Sequence, residues 1–245
     1  MNRKIIYTGL GIFIAISATA ILIANYSTAP LDNQSDTTED ALWVLPPNVK
    51  EIDHGDTSKK EVIFTFDGGG TAQSADQILQ VLAKHDVKGT FFLTGIFLET
   101  HPNLVKNMAL QNSEIFSHTF DHPNLTTVSN SQITDELVKM ENSLEEKVGL
   151  SPKPYFRAPY GARDTRVLSV AAKDGYESVY WTVDAQDWKH GETEAQVENR
   201  ILSSLAPGNI YLMHLGDTIT GNILDDVFTK IESQGYKIVS LTQGI

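Results

Sequence analysis

The sequence predicts an α/β protein in which helices cover a mainly parallel sheet that is either open or closed into a barrel. Two observations indicate this class. From residue 59 to the end, short apolar runs alternate with amphipathic stretches of helical period. The alternation continues over about 185 residues without a sequence repeat, which is the length of one domain. We therefore expect a single α/β domain after residue 58.

Strands and helices are predicted in alternation along this domain, and several helices carry end signals. Pro102 is favoured in a first helical turn, and Gly175 is placed to end a helix that Asp164 caps. Thr193 and Gln196 have the spacing of a capping box. Strands are predicted at residues 62–66, 89–93, 115–116, 155–156, 177–183, 209–214 and 237–241. Helices are predicted at residues 74–85, from 102 onwards, and at 131–147, 164–175, 193–205 and 225–234.

The first 25 residues contain no Asp or Glu, and an apolar run of about 20 residues within them is long enough to cross a bilayer. Arg3 and Lys4 precede this run, so we expect the N-terminus to stay cytoplasmic and the rest of the chain to lie outside the membrane. A retained signal-anchor helix is therefore predicted over residues 1–25. Small residues at 17–20 and 27–29 allow the alternative, a cleaved signal peptide and a secreted protein.

A polar, acidic segment at residues 26–58 separates the apolar run from the domain. It has no helical or strand period, so it is predicted to be a flexible linker that leads to the folded domain at 59–245. From residue 26 onwards the chain has 17 basic and 31 acidic residues, a net charge of −14. The exported part is therefore more acidic than the whole chain.

Composition excludes several classes of protein. The formal charge of −12 argues against binding to nucleic acid through a broad basic surface. The chain has no cysteine, so it has no disulfide scaffold and no cysteine nucleophile, and any metal ion must be held by histidine and carboxylate groups. No feature of the sequence predicts a protein partner.

Polar residues with catalytic or metal-binding chemistry fall where predicted strands end. In parallel α/β folds, ligands bind at the carboxyl ends of the strands. These side chains are therefore predicted to share one site. They are Asp67, His118, His122, Arg157, Asp184, Asp187 and His214.

Taken singly, these residues leave two interpretations open. His118 and His122 have the H-x3-H spacing that lets two imidazoles reach one metal ion, but the same spacing occurs where one histidine packs and the other is exposed. Asp67 precedes three glycines, which are typical of a turn and also allow close approach of the backbone to a ligand. Arg157 lies in a possible proline turn, and His214 ends an apolar run in which a packed histidine is common.

Five short motifs follow one another between residues 65 and 214. They are T-F-D-G-G at 65–69, S-H-T-F-D-H at 117–122, R-A-P-Y-G at 157–161, V-D-A-Q-D-W at 183–188 and L-M-H at 212–214. In this order they resemble the motifs T-F-D-D-G, H-[ST]-x-x-x-H, R-x-P-Y-G, D-x-x-D-W and L-x-H of the polysaccharide deacetylase family, the NodB-homology carbohydrate esterases of family 4. K-G-T-F-F-L at 88–93 is similar to that family's K-A-T-F-F strand, and the resemblance covers about residues 60–245.

The resemblance implies a distorted (β/α) barrel of the NodB-homology type as the catalytic domain. It also implies a hydrolase that removes N-acetyl groups from amino sugars such as GlcNAc or MurNAc, in peptidoglycan or chitin-like oligomers. The substrate would be a polysaccharide of the cell's own envelope, since a membrane-anchored enzyme works on what lies near the membrane. A phosphatase or nuclease is disfavoured, because those sites usually gather several carboxylates or two metal ions.

The resemblance further implies a role for each matched residue. His118 and His122 would hold a divalent metal, zinc, which activates water and polarises the acetyl carbonyl. Asp67 would be the general base, with Arg157 keeping its carboxylate ionised and oriented. His214 would be the general acid, and Asp187 would be its partner. The Tyr160 backbone N–H would be the oxyanion donor, and Trp188 would form a wall of the pocket. Asp184 matches a motif but has no assigned role.

The sequence departs from the family pattern at Gly68. The family commonly has an aspartate there as the third metal ligand, and glycine offers no side chain. This departure leaves three alternatives: Asp121 substitutes, the metal binds more weakly with an extra water, or the chain is an inactive glycan-binding relative. We expect activity, because Asp67, Arg157, Asp187 and His214 are all present.

Overall fold

The computed structural model describes Val49 and residues 51–245. The strands are β1 (Glu51–Ile52), β2 (Glu61–Gly68), β3 (Thr90–Leu93), β4 (Glu114–Ser117), β5 (Tyr155–Phe156), β6 (Glu177–Val179), β7 (Val183–Asp184), β8 (Ile210–His214) and β9 (Lys237–Val239). The helices are α1 (Ala75–Lys84), α2 (Gly95–Thr100), α3 (Pro102–Leu110), α4 (Asn130–Val148), α5 (Thr165–Lys173), α6 (Glu194–Ser203), α7 (Ile219–Ser233) and α8 (Leu241–Gly244). The predicted anchor at residues 1–25 lies outside the described residues, and none of the described helices is long and apolar enough to span a membrane.

The paired strands run parallel, and their sheet curls into a half-barrel. Its order is β1-β6-β5-β4-β3-β2-β8-β7, with β9 also pairing with β2. Because five strands lie between β6 and β7, about 29 Å would separate these two strands in a flat sheet. Residues 180–182 alone join them along the chain, and four Cα steps span at most about 14 Å. The ends of the sheet must therefore approach each other, and the predicted α/β class with a parallel sheet is confirmed.

Residues 177–183, predicted as one strand, form parts of two strands near opposite ends of this sheet. β6 pairs with β1 and β5, whereas β7 pairs with β8. In the connection, the backbone N–H of Tyr180 donates to the Ile52 carbonyl at 2.7 Å, and that of Thr182 donates to the Ile210 carbonyl at 2.9 Å. The apolar pattern runs through this change of partner, so the sequence does not reveal the break.

Residues 51–58, predicted as the end of the flexible linker, belong to the folded domain. β1 extends the sheet beside β6, and Glu51 forms an ion pair with Arg163 at 2.7 Å. The backbone N–H of Gly55 donates to the Gly208 carbonyl at 2.7 Å. A two-residue strand is too short to show an alternating pattern, which is why the sequence places the boundary too late.

Three helices differ from the predictions. α2 and the short α8 are not predicted at all, and α7 begins at Ile219 rather than near residue 225. Gly95 opens α2 and Gly221 lies in the first turn of α7, and glycine weakens the helical signal. Burial of Phe97 and Ile223 in the core outweighs this local preference.

Side-chain alternation along the strands decides which residues face the inside of the half-barrel. On β2, Phe66 packs outward with the helices, whereas Ile63 and Asp67 lie on the opposite face. Asp67 is paired in register with His214 of β8, so both residues lie at the carboxyl edge on the inner face. The inner apolar cluster below them is Ile63, Phe92, Phe116, Val179, Ile210 and Leu241.

Candidate active site

A cavity of about 550 Å³ opens at the carboxyl ends of the strands. Seven of the ten residues predicted for the site line this cavity: Asp67, His118, His122, Tyr160, Asp184, Trp188 and His214. Arg157 and Asp187 lie directly behind it and contact lining residues, whereas Asp121 does neither. The structure therefore brings nine of the ten residues together.

Asp67 and Arg157 form a buried ion pair at the floor of the cavity, where they are 5 % and 1 % exposed. Arg157 Nη1 donates to Asp67 Oδ1 at 2.7 Å and to Thr65 Oγ1 at 2.9 Å. Its other guanidinium nitrogens donate to the backbone carbonyls of Val179 and Tyr180 at 3.2 and 3.1 Å. These bonds hold the Asp67 carboxylate in one orientation, with Oδ2 3.5 Å from the Nε2 atom of His118.

His118 and His122 present two imidazole nitrogens to the cavity. The Nδ1–H of His118 donates to the Arg157 carbonyl at 2.9 Å, which leaves the lone pair on Nε2. Burial lowers the pKa of His118, and burial together with the neighbouring His118 lowers the pKa of His122 to about 4. Both rings are therefore neutral near pH 7, as metal ligands must be.

The spacing of these two nitrogens fits a shared metal ion. The Nε2 atoms lie 3.2 Å apart. At Zn–N distances of about 2.0–2.1 Å, they would subtend an angle of roughly 100° at the metal, close to tetrahedral. Within residues 51–245, however, no three His, Asp or Glu side chains are arranged to hold a metal ion. The described residues thus offer two imidazole nitrogens to a metal ion and no third protein ligand.

Neither Gly68 nor Asp121 supplies the missing carboxylate in this arrangement. Gly68 lies on the outward face of β2, where a Cβ atom would come within 2.7 Å of Leu93 Cδ2 and 3.0 Å of Leu215 Cδ1. Asp121 is exposed and does not line the cavity, and its backbone N–H donates to Glu136. Of the three alternatives for the missing ligand, substitution by Asp121 does not fit the structure, because this residue is exposed and lies outside the cavity lining.

His214 and Asp187 form the second polar pair of the cavity. The Nδ1–H of His214 donates to Asp187 Oδ1 at 2.8 Å, and its backbone N–H donates to Oδ2 at 2.7 Å. Burial opposes the charged form of His214, but the hydrogen bond and charge of Asp187 outweigh burial and raise the pKa of His214. The same contacts with His214 lower the pKa of Asp187 against its own burial. An imidazolium with a free Nε2–H is therefore favoured here, which is what proton donation requires.

Aromatic side chains form the rim of the cavity. Tyr160 is 72 % exposed and Trp188 59 % exposed, and the Tyr160 ring contacts His122 with centroids 4.6 Å apart. Exposed rings beside a polar cavity are suited to packing against the apolar face of a sugar.

Asp184, which matches a motif without an assigned role, stabilises a turn. Its carboxylate accepts from the Gln186 backbone N–H at 2.8 Å.

Left-handed backbone conformations are concentrated in the motif loops. Among the described residues, six that are not glycine have positive φ, and four of these lie in the motifs. They are Thr119, His122, Tyr160 and Gln186, with φ between 57° and 66°. Such conformations persist where the surrounding structure dictates them, and they often mark functional sites.

Four residues of the site are absent from the sequence-based prediction: Thr65, Trp181, Asp217 and Thr220. Thr65 precedes Asp67 by two residues on the same strand face, and this spacing is a signal that was available. Trp181 lines the cavity from the connection between β6 and β7, and Thr220 donates to Asp187 from α7. Their positions depend on the broken strand and the early start of α7, neither of which the sequence reveals.

Comparison with known proteins agrees with the motif pattern. A family model described as polysaccharide deacetylase matches residues 54–179. The peptidoglycan-N-acetylmuramic acid deacetylase PdaA of Bacillus subtilis is 35 % identical over 189 residues, covering 76 % of this chain and 72 % of that protein. A peptidoglycan-N-acetylglucosamine deacetylase of Bacillus cereus is 35 % identical over 191 residues, covering 76 % of this chain and 69 % of that protein.

A similar solved structure is that of a pseudoenzyme of carbohydrate esterase family 4 from Bacillus anthracis. It has a TM-score of 0.75 and 32 % identity, covering 79 % of this chain and 68 % of that one. The family resemblance predicted from the five motifs is confirmed by these matches. The chain belongs to the polysaccharide deacetylase family, the NodB-homology carbohydrate esterases.

Proposed function

We propose that the protein hydrolyses the acetamide group of an amino sugar in peptidoglycan, with a divalent metal, zinc, held by His118 and His122. The predicted enzyme class, a polysaccharide N-deacetylase, is confirmed by the family match and by named peptidoglycan deacetylases at about 35 % identity. The observation that carries the proposed chemistry is the placement of Asp67 and His214 at register-paired positions on one wall of the cavity. A base and an acid at neighbouring strand ends can act on the two sides of one amide bond.

In the proposed reaction, Asp67 accepts a proton from the attacking water while Arg157 holds its carboxylate in place. The water oxygen adds to the acetyl carbon, and the Tyr160 backbone N–H would stabilise the resulting oxyanion. His214 then gives its proton to the departing nitrogen, the carbon–nitrogen bond breaks, and the products are acetate and a free amine. A bound zinc ion would polarise the carbonyl and acidify the water.

Asp187 supports the acid step. Its carboxylate bonds to His214 at 2.8 Å and stabilises the imidazolium before the proton is given up. Trp188 and Tyr160 would hold the sugar ring at the rim, where both are largely exposed. We also propose that residues 1–25 anchor the protein with this domain outside the cell membrane, where peptidoglycan is within reach.

An inactive glycan-binding role is the second candidate, and one observation favours it. Gly68 has no side chain to complete a three-residue metal site, and no other described residue replaces it. The similarity to a family 4 pseudoenzyme is consistent with such a role. We favour catalysis, because the Asp67–Arg157 and His214–Asp187 pairs have the geometry that the reaction needs.

Release of acetate from peptidoglycan and from N-acetylglucosamine oligomers, with added zinc and with a chelator, tests this proposal. We expect acetate release that the chelator abolishes and that His118→Ala removes. His54→Ala is the matched control, because His54 is an exposed histidine that contacts Asp53 and not the cavity. Sugar binding without acetate release would favour the inactive alternative. Release that resists both the chelator and His118→Ala would contradict the role of the metal.

A further inference from the structure

The Asp187 carboxylate is satisfied by four hydrogen-bond donors behind the cavity. Oδ1 accepts from the Trp188 backbone N–H at 3.1 Å and from His214 Nδ1–H at 2.8 Å. Oδ2 accepts from the His214 backbone N–H at 2.7 Å and from the Thr220 hydroxyl at 2.5 Å. Because an ionised carboxylate has about four acceptor positions, this environment matches the ionised form of Asp187.

Asp217 faces the same carboxylate from the loop between β8 and α7. Its Oδ1 accepts from the Thr220 backbone N–H at 3.1 Å, but its Oδ2 is buried and has no donor among the described residues. Thr220 links the two carboxylates, since its hydroxyl donates to Asp187 Oδ2 and its backbone N–H donates to Asp217 Oδ1. Two ionised carboxylates placed beside the same residue repel each other, which favours a proton on one of them.

When this pair takes up a proton, Asp217 holds it. Asp187 is surrounded by donors, whereas the buried Oδ2 atom of Asp217 has no donor among the described residues. Burial and the negative charge of Asp187 raise the pKa of Asp217 to about 6. A group that loses its proton near this pH changes charge within the range where the enzyme would work.

We propose that Asp217 is a positioning residue whose charge, next to the Asp187 carboxylate, controls how tightly His214 holds its proton. Neutral Asp217 adds no charge there. Ionised Asp217 adds a second negative charge behind His214, so that the imidazolium persists to higher pH. The proposal rests on the proposed function, in which His214 protonates the leaving amine.

Several other groups face this pair, and they set the background for its titration. Asp67 and Asp184 also act on His214 from the ends of β2 and β7. His118 and His122 act on it from the loop after β4. On the α1 side, the Ser74 hydroxyl donates to the Asp217 backbone carbonyl and carries no charge. None of these groups changes in the variant chosen below.

A purely structural role for Asp217 must be separated from this one, because its Oδ1 accepts an amide of the first turn of α7. Asp217→Asn makes that separation. The asparagine oxygen still accepts from the Thr220 backbone N–H, but the ionisable charge is gone. Asp226→Asn is the matched control, because it removes one carboxylate from α7 at a side chain that is 61 % exposed.

The test is the titration of the His214 imidazole in the full chain, followed by NMR and assigned by loss of the signal in His214→Gln. We expect the apparent pKa of His214 to be about 0.5–1 unit lower in Asp217→Asn than in the wild type. Asp226→Asn should shift it by less than about 0.2 unit, because solvent and salt screen an exposed charge.

Equal titration of His214 in the wild type and Asp217→Asn would overturn the proposal and leave Asp217 as a helix cap. A second measurement needs no variant: the carboxyl carbon of Asp217 should titrate near pH 6 in the wild type, and an ordinary aspartate value would also overturn it. Both measurements are made without substrate. Failure to release acetate would therefore refute the proposed function without deciding this inference.

Discussion

Replacing Arg157 by methionine should remove a large share of the stability of the domain. Methionine keeps part of the apolar stem but loses the guanidinium, whose carbon lies 4.1 Å from the centre of the Phe92 ring. It removes the cation that faces Asp67 and the donors to the carbonyls of Val179 and Tyr180. The change therefore leaves a buried carboxylate and two carbonyl oxygens without their partner.

The size of the effect follows from the burial of the pair. Breaking a buried ion pair from one side costs about 3–5 kcal/mol, because the remaining charge is unpaired. Each orphaned carbonyl adds about 1–3 kcal/mol, although neighbouring effects do not simply add. A loss of at least about 3–5 kcal/mol is a large fraction of the roughly 5–15 kcal/mol that stabilises a typical domain. For a domain of this size, it corresponds to a decrease in Tm of about 6–20 °C.

Chemical and thermal unfolding of the full chain would measure this loss. Arg163→Met is the matched control, since Arg163 also pairs with a carboxylate, Glu51, but at a partly exposed site. We expect that control to lose about 1 kcal/mol. The double variant Asp67→Asn/Arg157→Met should recover at least about 1–2 kcal/mol relative to Arg157→Met, because it removes the unpaired charge.

Two results would refute this reasoning. If Arg157→Met and Arg163→Met were equally stable, burial of the Asp67–Arg157 pair would not have the assigned cost. If the double variant recovered nothing, the loss would come from packing of the side chain and not from the unpaired carboxylate. Either result would also weaken the assignment of Arg157 as the group that orients the base.

Three further predictions concern the chemistry of the site. His118→Ala and His122→Ala should each weaken zinc binding, measured by calorimetry, at least about tenfold. Asp121→Asn should leave zinc binding unchanged, because that residue is exposed. Equal effects of all three substitutions would contradict the two-histidine site. Asp187→Asn should lower the rate of acetate release by about 10²–10⁴-fold at alkaline pH. It should also move the alkaline limb of the pH–rate profile to lower pH, because Asp187 raises the pKa of His214. An unchanged alkaline limb would exclude His214 as the acid. Gly68→Asp should lower the free energy of unfolding by about 1–3 kcal/mol, because the new side chain would meet Leu93 and Leu215. It should not tighten zinc binding. Tighter zinc binding at unchanged stability would show that the backbone turns this position into the cavity.

The sequence predicts the residues of the site better than it predicts the segments that carry them. Nine of the ten predicted residues meet at the cavity, because strand ends in a parallel sheet share one edge and the motifs mark those ends. The buried strands β2 and β8 are apolar runs that are easy to recognise, and their registered pairing brings Asp67 beside His214. The apolar pattern of the sequence is sufficient to predict a strand when the strand is buried along its whole length.

The segments that the sequence does not predict depend on tertiary contacts. The strand predicted at 177–183 is interrupted because its two halves pair near opposite ends of the sheet, and an apolar pattern does not record the partner. β1 is too short to have a period, and α7 starts at residues with low helix propensity. Asp217 and Thr220 escape prediction for this reason, since the contacts of Thr220 with Asp217 and Asp187 depend on where α7 begins.

The connection between β6 and β7 ties the closure of the half-barrel to the active site. Residues 180–182 bridge its two edges, the Tyr180 carbonyl accepts from Arg157, and Trp181 lines the cavity. Opening of this segment would therefore free an edge of the sheet and a wall of the cavity together, because the same few peptide groups serve both. A substitution that loosens the connection should disturb the base as well as the sheet, since the Tyr180 carbonyl also holds the guanidinium that orients Asp67.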